Sequence, residues 1–241
     1  TDYCLEIEQS KEIAKACAHI PNLLFPSYYN ELSSNRILTM DFMKGEHLSE
    51  FVKHNTDLEK SNRLGQALWD FYMYQIHHLK KVHADPHPGN FLINDDAQLI
   101  ALDFGCMKVI PETFYTPYFE LADKSVIDNS ISFSKKLYEL EILTSKDTEE
   151  EIAFFTAMFH ELLSVFTLPF QKEVFDFSDP EFFGKIGDLA ERYSQNTELR
   201  KFNSNRGSKH FIYMNRTFFG LYNLMFDLKA NEVKINQFQH Y

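Results

Sequence analysis

Cysteine is scarce in this sequence, and what there is forms no pattern. Cys4, Cys17 and Cys106 are odd in number, and no C-x-x-C spacing occurs in 241 residues. That excludes a disulfide-stapled scaffold and a zinc ribbon, and it fits a reducing compartment, so a cytoplasmic location is expected. Each cysteine is expected as a small buried hydrophobe. Positive charge is also short: 24 Lys and Arg stand against 35 Asp and Glu, for a net charge of −11, and no basic run exceeds two residues. A nucleic-acid binder needs a basic footprint against phosphates, so DNA and RNA are excluded as partners. Long apolar runs are missing as well. The best stretch, Ala153 to Phe170, is interrupted by His160 and Glu161 and is too short to cross a bilayer comfortably. The opening Thr1-Asp2-Tyr3 has no initiator Met and no basic n-region, so no secretory signal is visible and the chain reads as a piece of something longer. The eight glycines form no G-x-G-x-x-G phosphate loop.

What is abundant is apolar and aromatic. Apolar residues make up 44% of the chain, which excludes a disordered polypeptide. Phenylalanine alone contributes 24 residues. The plain expectation is a helical core packed with aromatics. The sharper alternative is an apolar groove for an isoprenoid lipid or a membrane surface, with the protein peripheral to the membrane.

Periodicity divides the chain. Residues 3–18 read as a helix with Ile7, Ile13, Ala14 and Cys17 near one face, stopped by Pro21. Leu24 to Tyr29 and Arg36 to Met43 read as two strands, with Pro26 confining the first to an edge and Ser33-Ser34-Asn35 turning between them. Gly45 marks a break. Thr56-x-x-Glu59 has the form of a capping box, opening a helix of about six turns to Lys80 with Leu64, Leu68, Phe71 and Tyr74 on one face. Residues 83–90, with two prolines and a glycine, read as a loop. Phe91-Leu92-Ile93 and Leu99 to Leu102 read as a hairpin turning at Asn94-Asp95-Asp96. Beyond Pro111 the pattern is helical, with a capping box at Thr148-x-x-Glu151, an N-cap at Asp179-Pro180 and a last helix carrying Met214, Phe218, Leu221 and Met225. Residues 194–210 read as a polar loop.

The chemistry concentrates at that hairpin. His83-Ala84-Asp85-Pro86-His87-Pro88-Gly89-Asn90 contains H-x-D-x-x-x-x-N, and Asp103-Phe104-Gly105 follows the second strand. Protein kinases place these two patterns around one hairpin. Phosphoryl transfer asks for metal ions against the phosphates and a carboxylate near the attacking group. Asp103 is a hard carboxylate suited to Mg²⁺, and Asn90 offers a neutral oxygen to a second ion. Asp85 would orient or deprotonate the attacking hydroxyl or water. His83 would fix the loop, and Gly105 would let the backbone turn beside the metal ligand. An alternative reads His83, Asp85 and His87 as a transition-metal triad. The adjacent His77 and His78 read as core and surface of the helix.

These residues resemble the UbiB/AarF-type (ADCK) atypical kinase family. The catalytic loop matches that family throughout, and Leu38-Thr39-Met40-Asp41-Phe42-Met43-Lys44-Gly45 is similar to its strand-to-hinge segment. The resemblance implies an α+β, protein-kinase-like fold: a partial N-lobe and hinge at residues 1–44, with one helix and two strands, and a helical C-lobe at residues 45–241. It implies ATP and Mg²⁺ as cofactors. Backbone groups around Met40, Asp41 and Met43 would face the adenine, unless that stretch is simply a buried strand. Asp2-Tyr3-Cys4-Leu5-Glu6 is similar to the helix whose glutamate, here Glu6, pairs with an ATP-binding lysine. A strand carrying that lysine, the phosphate lid and the family's K-x-G-Q motif are missing, so the remainder of an N-terminal lobe is an expected partner and Mg·ATP binding by this chain alone is expected to be weak. The function implied is Mg·ATP-dependent phosphoryl transfer or ATP hydrolysis supporting isoprenoid-quinone biosynthesis. Two alternatives stand: an aminoglycoside- or choline-kinase-like phosphotransferase, against which Ala84 and Pro86 argue, and a catalytically silent nucleotide- or lipid-binding module. Few residues separate Gly105 from Pro111-Glu112, which leaves no room for a long activation loop. A small acceptor or water is therefore expected in place of a protein substrate.

Overall fold

The computed structural model describes residues 3–195 and 206–235. Helix α1, Tyr3–Cys17, buries Ile7, Ser10, Ile13 and Cys17, a spacing that puts them on one face. It gives way to a turn with Asn22 in the left-handed region. Of the three cysteines only Cys17 is buried; Cys4 is exposed and Cys106 half-buried, because position 4 lies on the outer face of α1.

The two strands expected over 24–43 are largely absent. Strand β1 is only Leu23–Leu24, and the rest of that region meets through the isolated bridges Tyr28↔Met40 and Ser34↔Ile37. Side chains there compete with a ladder. Thr39 Oγ1 donates to the Leu32 carbonyl at 2.6 Å, and Ser33 Oγ accepts from the Thr39 N–H at 2.9 Å. Nor is the second stretch a buried strand, since Ile37 is 60% and Phe42 95% exposed.

A short sheet carries the hairpin. Strand β2 (Glu46–His47) leads into α2 (Leu48–His54). Strands β4 (Phe91–Ile93) and β5 (Leu99–Ala101) are antiparallel, and the sheet order is β1-β5-β4-β2 with β1 parallel to β5. Gly45 lies where a Cβ would stand 2.8 Å from the Ile93 carbonyl oxygen, so only glycine lets the chain pass there. Helix α3, Leu58–Tyr74, is capped by Asp57 and not by Thr56. The Asp57 carboxylate accepts from the N–H groups of Glu59 and Lys60, and its extended backbone (φ −87°, ψ 104°) sets the helix start one residue later than expected. Leu64, Leu68 and Phe71 are buried as expected, with Trp69 and Tyr72 beside them. The helix continues as a π-helical turn, Gln75–Leu79, which Lys80 ends in a left-handed conformation. Strand β3, Lys81–His83, then pairs antiparallel with β6, Met107–Val109. His77 is buried in the core and His78 exposed, stacked on Tyr74.

Helices make the rest: α4 (Glu112–Leu121), α5 (Lys124–Ile127), α6 (Ser130–Glu139), α7 (Glu149–Phe166), α8 (Pro180–Gln195) and α9 (Lys209–Asp227). The Thr148–Glu151 capping box is formed at α7. The Asp179 carboxylate accepts from the Glu181 N–H at 2.8 Å at the start of α8. Strands β7 (Val174–Phe175) and β8 (Val233–Lys234) close a small antiparallel pair. The phenylalanines are mostly core: Phe71, Phe91, Phe104, Phe133, Phe155 and Phe177 are fully buried. Of the expected loop at 194–210, residues 196–205 lie outside the described residues, 194–195 finish α8 and 209–210 start α9. Among the described residues no helix is long and apolar enough to cross a membrane.

Candidate active site

The loop after β3 is fixed from three sides. The main-chain N–H of His83 donates to Gln75 Oε1 at 3.0 Å, and Gln75 Nε2 donates to the Phe71 carbonyl, so the π-helical turn holds the loop's entry. The Ala84 N–H donates to the Cys106 carbonyl, which ties the loop to the segment after Gly105. Asn90 Nδ2 donates to the Asp85 carbonyl at 3.1 Å, which closes the loop on itself. The role of His87 is local. Its Nδ1 accepts from the Gly89 N–H at 3.1 Å and caps the Pro88–Asn90 turn. That interaction occupies Nδ1 of the ring. Among the described residues, no group of three or more His, Cys, Asp or Glu is arranged to hold a metal ion.

His83 is 2% exposed, and its ring lies edge-on to Phe104 with centroids 6.1 Å apart. Burial lowers its pKa, although the charges of Asp103 and Asp85 pull the other way. What fixes the loop is the residue's main-chain N–H. Phe104 is itself buried and also contacts Phe71 and Phe25.

Asn90 and Asp103 meet at the open end of the β4–β5 hairpin, where the Leu102 N–H donates to the Asn90 carbonyl at 3.0 Å. Asp103 Oδ1 accepts from the Gly105 N–H at 2.7 Å. A Cβ on Gly105 would lie 3.1 Å from Glu6 Oε2 and 3.3 Å from Asp103 Oδ1. The glycine therefore makes room for two carboxylates, and it does not supply a positive φ. Glu6 has a raised pKa, first from burial and then from the charge of Asp103. Ser10 Oγ donates to the Glu6 carbonyl, and the Tyr28 hydroxyl donates to the Leu102 carbonyl at 3.2 Å, tying this region to β5. Burial pushes the Tyr28 pKa up to about 12.

Glu6, His83, Asp85, Asn90, Asp103 and Gly105 are thus gathered in one place. Met40 connects to them through its bridge with Tyr28. Asp41 is held apart by its own contacts, accepting from the Tyr29 hydroxyl at 2.6 Å and the Ser27 N–H at 3.0 Å, which lower its pKa. Met43 follows on the same extended stretch. The stretch from Arg216 to Ala230 resembles the UbiB-type family in sequence, but no site role is expected there; the structure brings Arg216 of α9 to the site, where its Nη2 donates to Asp85 Oδ1 at 2.6 Å. It stands 131 residues from its partner, and no local pattern announces it.

The first 136 residues match the model of the ABC1 atypical kinase-like domain. AarF domain-containing protein kinase 1 of Gallus gallus is 30% identical over 125 residues, 50% of this chain and 24% of that protein. Atypical kinase COQ8B, mitochondrial, of Danio rerio is 26% identical over 144 residues, 59% of this chain and 23% of that protein. The chain therefore spans about a quarter of the length of these curated relatives. The solved complex of Rv3197 with erythromycin, from Mycobacterium tuberculosis, superposes with a TM-score of 0.72 over 98% of this chain and 56% of that one, at 19% identity, and shows the kinase-like α+β fold. With its model matched over more than half the sequence, the chain belongs to the ABC1 atypical kinase-like domain family.

Proposed function

We propose that this chain provides the metal-nucleotide and phosphoryl-transfer centre of an atypical kinase or ATPase, with ATP and Mg²⁺ as cofactors. The observation that carries the reading is the juxtaposition of Asn90 and Asp103 across the hairpin, with Glu6 beside Asp103. In the division that goes with it, residues 1–44 contribute a partial N-lobe and hinge and residues 45–241 the helical C-lobe.

The donor set suits Mg²⁺. Mg²⁺ is usually bound through one or two protein oxygens, with phosphates and water completing its shell. Asp103 supplies a carboxylate, and Asn90 supplies its amide oxygen, since its nitrogen is engaged with Asp85. A cation there would also relieve the repulsion that helps raise the Glu6 pKa. When bound, Mg²⁺ would neutralise charge on the phosphates. Asp85 would hold the attacking hydroxyl or water in line and receive its proton as the new O–P bond forms, while the bridging O–P bond breaks and ADP leaves. Around Met40, Asp41 and Met43 the backbone would face the adenine.

Strand β6 pairs with β3 immediately after Gly105, and α4 begins at Glu112, which supports a small acceptor or water over a docked peptide. Support of isoprenoid-quinone biosynthesis, with an isoprenoid lipid or membrane surface as partner, is the role the family resemblance implies. The test is turnover of Mg·ATP by D85N and D103N variants. Each should lose about 100-fold or more of the wild-type rate with an unchanged melting curve. If both retain wild-type turnover, this site does not carry the activity; a wild-type chain that binds nucleotide without turnover is the silent binding module.

A further inference from the structure

The trio of carboxylates in the proposed site, Glu6, Asp85 and Asp103, would repel a polyphosphate bound there. Among the described residues, Arg216 is the cationic side chain ion-paired to this trio, at 2.6 Å from Asp85. Its position is set by backbone packing. Gly220, one turn further along α9, sits where a Cβ would stand 2.4 Å from Pro86 Cγ and 2.9 Å from the Pro86 carbonyl oxygen. The helix thus approaches the loop as closely as a backbone can, and residues four apart share a helix face. Arg216 is therefore delivered to Asp85, the neighbour of Pro86. Asn215 alongside it is held by the Tyr118 hydroxyl at 2.9 Å. The Arg216 side chain is 62% exposed. A guanidinium carries five N–H donors in a fixed fork, and the contact with Asp85 engages one nitrogen.

We propose that Arg216 is a substrate-binding residue that bridges Asp85 and the terminal phosphoryl group of the nucleotide. One nitrogen orients the carboxylate, and the remaining N–H groups face the phosphoryl oxygens whose charge changes during transfer. The assignment rests on the nucleotide reading above. It gives the site a cation that comes from the C-terminal part of the sequence and acts on the phosphoryl group being transferred.

The test is calorimetric titration of Mg·ATP and Mg·ADP into the wild-type chain and into R216A and R216K, with thermal melting alongside. ATP affinity of R216A should fall about tenfold or more, with ADP affinity within about twofold of wild type. R216K, which keeps the charge and loses the fork, should fall between. A purely structural latch would weaken both nucleotides together or neither, and either result overturns the assignment while leaving nucleotide binding intact. Should R216A fail to fold, R216K decides: selective loss of ATP affinity supports the bridge, and unchanged affinities contradict it. Because binding by this chain alone is expected to be weak, the titration is carried to millimolar nucleotide, and a wild-type chain that binds neither nucleotide even there overturns the nucleotide reading and this assignment with it.

Discussion

Gly220 of α9 lies against Pro86 so closely that an added Cβ would stand 2.4 Å from the proline Cγ. The contact joins the last long helix to the loop that carries Asp85, and it brings Arg216, one turn earlier, to the carboxylate at 2.6 Å. Helix propensity alone would make alanine better than glycine there by about 1 kcal/mol. The geometry reverses that sign. A G220A variant should lose about 1–3 kcal/mol of stability in urea unfolding, because the helix must back away from the loop. A stabilised variant would show that the close approach is not maintained in solution.

Gln75 is buried in the π-helical turn and accepts the main-chain N–H of His83. Replacing it with leucine leaves that N–H buried and unpaired, at a cost of about 1–3 kcal/mol. Hydrogen exchange at His83 should accelerate in Q75L in the same proportion. Unchanged exchange would mean that β3 pairing alone holds the loop.

Asp70 is 8% exposed, and burial raises its pKa from the ordinary 3.8 to about 6, against an opposing hydrogen bond from Gln66. Between these values the folded chain binds a proton that the unfolded chain does not, so the stability held at low pH is lost as pH rises through about 6. D70N removes the titrating group and keeps the shape. Measured against wild type, D70N should gain up to about 3 kcal/mol on going from pH 4 to pH 7. A difference between the two that does not change with pH would contradict the raised pKa.

The loop and the Asp-Phe-Gly were legible because each is contiguous and its chemistry depends on residue type at fixed spacing. The hairpin, the α7 capping box and the buried face of α3 were legible for a related reason, since local spacing governs them. The 24–43 region misled because alternation suggests strands, whereas Ser33 and Thr39 divert the backbone groups a ladder would use. Asp57 displaced Thr56 as the cap because both can accept from early N–H groups, and only the backbone conformation chooses between them. Arg216, Gln75 and Gly220 act on the site through contacts that fix no local pattern. His83 ties the loop by its main-chain N–H on Gln75 while its buried ring packs on Phe104, a division of labour that residue type alone does not reveal.

Asp103 and Asn90, as the holders of a magnesium nucleotide, are central to the proposed function. The most direct test is calorimetric titration of ATP into the wild-type chain and into D103N, each with and without Mg²⁺. Binding should require Mg²⁺ in the wild type, weaken about tenfold or more in D103N, and lose its metal dependence there. ATP binding that is the same with and without Mg²⁺, or that survives D103N unchanged, would contradict that role for the pair.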